Sequence, residues 1–99
     1  METINVNTKI PNLGWHIGAA DECSKALQEL DMGYSFSIKG QRGSHSAEVW
    51  VSDDKKEFFE NEILNKIIKG TYRTFYFSKC APYSGDYYHY YVSYQTNKD

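Results

Sequence analysis

Hydrophobic and polar residues repeat with two different periods along this chain, and the switches between them predict its elements. Ile4 and Val6 alternate with Thr3, Asn5 and Asn7, a period of two that reads as a short strand. A Pro-Asn-Leu-Gly loop from Pro11 to Gly14 follows. From Ala19 to Met32 the period lengthens: Ala19, Cys23, Ala26, Leu27 and Leu30 recur every three or four residues, on one face of a helix. Asp21 and Glu22 fall in its expected first turn and Gly33 just past its end, the charge polarity and stop that helices favour.

The period then returns to two. Tyr34, Phe36 and Ile38 alternate with Ser35, Ser37 and Lys39; beyond a Gly40-Gln41-Arg42-Gly43 turn, Ala47, Val49 and Val51 alternate with Ser46, Glu48, Trp50 and Ser52. This is a hairpin with one apolar face. A second helix is expected from Asp53 or Asp54 to Lys69, before Gly70. Asp54 with Glu57 forms a capping-box-like start, and Phe59, Ile63, Leu64, Ile67 and Ile68 form a buried stripe. Two strands, Thr71 to Lys79 and Tyr87 to Gln95, complete the chain.

The order β-α-β-β-α-β-β predicts an α+β fold, an antiparallel sheet of four or five strands with two helices on one face, in ferredoxin-like order. The 99 residues suit one core and are too few for two. Within that single domain, 1–99, helix-strand-strand occurs twice, over 19–52 and 54–95.

Two helices on one face leave the other face of the sheet uncovered, and strand alternation says which side chains it carries. The apolar set, Tyr34, Phe36, Ile38, Ala47, Val49, Val51, Phe75, Phe77, Tyr88, Tyr90, Val92 and Tyr94, turns toward the helices. The open face then holds Ser35, Ser37, Lys39, Glu48, Trp50, Tyr72, Thr74, Tyr76, Tyr87, His89 and Tyr91. Trp50, Tyr72, Tyr76, Tyr87, His89 and Tyr91 are the candidate partner-binding residues. Aromatic side chains with a polar tip bury large area at small rotamer cost, which is why interfaces favour them. The competing reading is strand propensity alone, since six of the nine tyrosines lie between Tyr83 and Tyr94.

Charge narrows the partner class. Eleven Lys and Arg against thirteen Asp and Glu give a net charge of −2, the wrong sign for tight nonspecific DNA binding. The charges are segregated, however. Asp21 to Asp31 and Asp53 to Glu62 each sum to −3, whereas Ile63 to Lys98 sums to +4. Lys39 and Arg42 at the hairpin tip, with Arg73, are the candidate anion-binding residues. Exposed aromatics on a ferredoxin-like sheet share the layout of RNA recognition motifs. That family is not assigned: Ser44 and Ser46 stand where its aromatics belong, and Glu48 adds the opposite charge.

No catalytic, metal or nucleotide motif emerges. His16, His45 and His89 lack metal-ligand spacing, so no metal and no cofactor are expected. His89 is the best acid/base candidate, with Ser44 or a tyrosine hydroxyl as its partner. Gly40 to Gly43 joins strand to strand and has no helix N-terminus for a phosphate. The chain is therefore not expected to be an enzyme. Cys23 and Cys80, with no CxxC spacing, read as two buried thiols, with a disulfide between them as the alternative. No stretch is apolar and long enough to span a bilayer, and the acidic start Met1-Glu2-Thr3 lacks signal-peptide character, which points to the cytoplasm.

In size and in its Lys, Asn, Tyr and Ile content the chain resembles accessory proteins of phages and mobile elements, anti-CRISPR inhibitors among them, a likeness carried by no motif. It implies a host defence protein as partner, blocked by this chain. The expected function is thus non-catalytic binding of a protein through the aromatic face. The alternative from another class is single-stranded nucleic-acid or nucleotide binding by stacking on the same aromatics, and a third is a homodimer through that face.

Overall fold

The computed structural model describes residues 1–10, 15–33, 35–40, 46–79 and 87–97. Among these, α1 (Trp15–Glu29) and α2 (Asp53–Glu62) accompany β1 (Thr3–Asn5), β2 (Phe36–Gly40), β3 (Ser46–Ser52), β4 (Ile67–Lys69), β5 (Arg73–Lys79) and β6 (Tyr87–Thr96). The strands form one six-stranded sheet in the order β1-β4-β5-β6-β3-β2. The short β1 pairs in parallel with β4, and every other neighbouring pair is antiparallel. The mixed α+β class stands, but both the strand count and the ferredoxin-like order are corrected.

The correction originates at the end of α2, which stops at Glu62 instead of continuing to Lys69. The N–H groups of Ile63 and Leu64 both return to the Phe59 carbonyl, at 3.0 and 2.9 Å. Asn65 then adopts a left-handed φ of 68°, a conformation that Asn tolerates better than most residues and that ends helices. The chain emerges extended, and Ile67 and Ile68 become strand residues. Ile68 is fully buried, whereas Ile67 pairs with Tyr76 on the opposite face. The first helix is displaced as well. It begins at Trp15, before Ala19, so Asp21 and Glu22 are interior to it and its first turn has no acid. Left-handed Asp31 and Gly33 lie just beyond its end.

Both helices cover the same face. Cys23, Ala26 and Leu27 of α1 and Phe59 of α2 share one core with Val49, Val51, Phe75, Tyr90 and Val92 of the sheet. Phe59 meets Phe77 edge-on at 5.4 Å and Tyr90 at 4.6 Å between ring centroids, the offset geometries aromatic pairs prefer. Cys23 is a free thiol, and burial first, then the Glu22 carboxylate, push its pKa up, so it is a packing residue. Cys80 lies outside the described residues.

One buried carboxylate joins the distant parts of the chain. Glu22, fully buried in α1, pairs with Arg73 through Nη1 at 3.1 Å. Its other oxygen accepts the backbone N–H of Tyr72 at 2.7 Å and of Arg73 at 2.9 Å, and the Thr8 hydroxyl at 3.1 Å. Gly70 makes this possible: a Cβ there would lie 2.5 Å from the carboxylate. Arg73 is 2% exposed, which removes it from the expected anion-binding set. Its guanidinium is aimed into the helix face.

A buried ion pair that loses one member leaves an uncompensated charge, at a cost of about 3–5 kcal/mol. Arg73→Met is therefore expected to lower the unfolding free energy by about that amount, read as an earlier urea midpoint. An unchanged midpoint would show that the pair is not a determinant of the fold.

Candidate functional site

β6 and β3 lie side by side within the sheet, and their shared register builds the open face's principal cluster. Trp50 stands opposite His89, Glu48 opposite Tyr91 and Ser52 opposite Tyr87. The Ser52 N–H donates to the Ser35 carbonyl at 2.8 Å, so Ser35 and Ser52 are a hydrogen-bonded pair. Alternation along the ladder directs Trp50's backbone groups toward Ser37 and leaves Trp50 and His89 a non-hydrogen-bonded pair, the kind with the closer side chains. Their rings accordingly stack, 4.9 Å apart with an interplanar angle of 18°. Tyr91 closes on the imidazole at 5.1 Å. The His89 Nε2 lies 3.6 Å from a Glu48 oxygen, a separation at which a protonated imidazole forms an ion pair.

The result is a ridge with a sheltered centre. His89 is only 8% exposed, while Tyr87 and Tyr91 on either side of it along β6 are 44% and 42% exposed. They are the described residues of the sheet that combine a large apolar body with broad exposure. Trp50 is half-buried between Glu48 and Ser52. The cluster thus has a stacked, covered centre and two exposed aromatic shoulders.

Not all of the expected residues join it. Tyr91 is level with Ser78 of β5, so Tyr76, two positions further along, is about 7 Å away down the strand. Tyr72 is six positions away, about 20 Å. It belongs to the turn before β5, half-buried, with its N–H on Glu22 and its carbonyl accepting from the Asn97 N–H at 2.7 Å. Tyr72 is thus removed from the cluster, and Tyr76 forms its far margin. Of Lys39 the structure describes the backbone, opposite Glu48. Arg42 and Ser44 lie outside the described residues.

Glu48 is the cluster member that sequence reasoning set aside, although its place two residues before Trp50 already put it on the same face. A second feature was also missed. An open hollow of about 390 Å³ adjoins Tyr76, with Lys69, Thr74 and Gln95 in its lining. Lys69 was concealed by its expected place at the end of α2. Among the described residues no group of three His, Cys, Asp or Glu side chains is arranged to hold a metal ion. No described helix is long and apolar enough to cross a membrane.

The helix face carries a different polar contact. The Tyr90 hydroxyl donates to Glu60 at 2.5 Å, and Lys79 lies 3.6 Å from the same carboxylate. The hydrogen bond from Tyr90, with Lys79 and Lys56 nearby, holds the Glu60 carboxyl below its usual range despite some opposing desolvation. Burial, aided by Glu60, pushes the Tyr90 phenol up. No protein family, curated protein or solved structure matches this chain, so its functional reading comes from the geometry itself.

Because Glu60's folded pKa is depressed, its stabilising contribution is present above the ordinary glutamate value of about 4.3 and is lost as pH falls through the folded value. Tyr90→Phe is expected to cost about 1 kcal/mol near neutrality. The difference from the parent protein should shrink as urea titrations are carried below about pH 4; a difference constant across pH would exclude the Glu60 bond as its source.

Proposed function

We propose that this chain is a non-catalytic binding protein whose open sheet face docks a protein partner, with Tyr87, Tyr91 and Trp50 as anchors around His89. The observation that carries the reading is the pair of broadly exposed tyrosines flanking a stacked Trp50–His89 centre on the face opposite both helices. Tyr and Trp in a preordered setting lose little conformational freedom on binding. His89, the best acid/base candidate, is largely covered by its neighbours, which favours a structural role in the platform. Tyr76 supplies the margin of the same face.

Two features favour protein over nucleic acid. Glu48 places a carboxylate within the cluster, where it opposes a phosphate backbone, and Arg73 is committed to Glu22. A specific observation keeps the second reading in play: Lys69 and Tyr76 line one hollow, pairing a cation with a stacking surface as nucleotide sites do. Inhibition of a host defence complex is the form of protein binding that the sequence's general likeness to phage accessory proteins suggests.

The test begins with capture of partners from nuclease-treated and untreated lysate, followed by titration of the purified candidate against the purified chain. Tyr91→Ala and Trp50→Ala are expected to weaken the complex tenfold or more, about 1.4 kcal/mol each, while the melting temperature stays near that of the parent. Binding should persist at moderate salt. Affinity that falls steeply with salt, or capture that disappears after nuclease treatment, would transfer the function to nucleic-acid binding.

A further inference from the structure

We infer that the β2 edge of the sheet is an interface for a second copy of this chain, pairing antiparallel about Ile38. A terminal strand presents unpaired backbone N–H and C=O groups, and proteins that keep such an edge single usually blunt it. β1, at the other end of the sheet, has three residues. β2 has five, contains no proline, runs without a bulge from Phe36 opposite Val51 to Gly40 opposite Ala47, and has a single charged residue, Lys39, as its guard. No strand among the described residues lies beyond it.

The ladder specifies which groups are on offer. With Ser35 and Ser52 hydrogen-bonded, alternation commits Ser37 and Lys39 to β3 and turns the N–H and C=O of Phe36, Ile38 and Gly40 outward. A two-fold axis through Ile38 places Ile38 opposite Ile38 of the second copy and Phe36 opposite Gly40. All three outward residues then become hydrogen-bonded pairs.

The side chains agree with this register. The half-buried Phe36 meets a glycine, a cross-strand combination in which the ring covers backbone that a glycine leaves bare. Exposed Ser37 is set opposite Lys39, so the one charged residue of the strand is never opposite itself. An axis through Lys39 would pair two lysines, which is unfavourable, and an axis through Ser37 would carry Gly40 past the end of the opposing strand. This self-complementarity selects a second copy over an unrelated strand. Since the axis is perpendicular to the sheet, the Trp50–His89 clusters of both copies lie on the same side of a continuous twelve-stranded sheet, two copies of six.

The test uses the full chain in sedimentation equilibrium over a micromolar to millimolar series, with amide exchange followed by NMR. A dimer is expected, with amide protection at Phe36, Ile38 and Gly40 that increases with concentration. Ser37 is exposed, so its charge can be changed without entering the core. Ser37→Glu, facing Lys39 twice by symmetry, should tighten the dimer, and Ser37→Lys should loosen it, each by about two- to thirtyfold. Tyr91→Ala should leave it intact. A monomer throughout, with unprotected amides at Phe36 and Ile38, would overturn the inference. So would a dimer indifferent to charge at Ser37, or one abolished by Tyr91→Ala, which would place the contact on the open face.

Discussion

The carboxylate of Glu22 is the constraint from which the arrangement follows. A buried charge is tolerated only when its lone pairs are fully engaged, and Glu22 meets that demand with partners about fifty residues away in the chain, at Tyr72 and Arg73. It does so by entering the β4–β5 turn. The Gly70 N–H donates to the Arg73 carbonyl at 2.8 Å, but the Arg73 N–H, which in a two-residue hairpin would return to Gly70, donates to Glu22. The displaced Gly70 carbonyl accepts from the Asn97 side chain at 2.9 Å. Thr8 and Thr71 complete the knot through reciprocal bonds between backbone N–H and hydroxyl groups. The segment after β1, helix α1, the β4–β5 turn and the end of β6 are thereby held at one point.

That point also explains why one face is open. With α1 anchored through Glu22 and α2 packing Phe59 against Phe77 and Tyr90, both helices are committed to the same side of the sheet. Strand parity then gives one residue type two environments along β6. Tyr90 and Tyr94 are buried on the helix side, while Tyr87 and Tyr91 are exposed opposite them. Tyr90 directs its hydroxyl to Glu60, as buried tyrosines usually require a partner.

The two faces were legible in the sequence because a period of two leaves little freedom: once β3 and β6 pair, the outward positions of Trp50, His89 and Tyr91 follow. The stack of Trp50 on His89 was not legible, since it needs the register, which the alternation alone does not supply. β4 was hidden because Ile67 and Ile68 fit a helical stripe and a strand equally well, and a single left-handed residue, Asn65, decides between them. Glu22 looked like an ordinary acid of a helix start. Arg73 sat at an inward parity, but arginine is seldom buried without a partner, and its partner lay 51 residues earlier. The Glu22 and Arg73 errors share one cause: a polar residue's role was set by a contact distant in sequence.

The same distances separate what holds the fold from what the fold presents. The Glu22 knot lies on the helix side and at the turn end of β5, whereas Tyr87 and Tyr91 project from the other side of β6. Tyr87 and Tyr91 are broadly exposed and outside the core cluster, so these two positions are free to vary in chemistry while the scaffold stays fixed. The reverse does not hold. The stack of His89 on Trp50 depends on the β3–β6 register, and that register is held by the inward row of Val49 against Tyr90 and Ala47 against Val92. A one-residue slip would bury Tyr91 and expose Tyr90. The helix-side core is therefore what gives the open face its definition, and a rigid face is what lets exposed tyrosines contribute to binding with little loss of freedom.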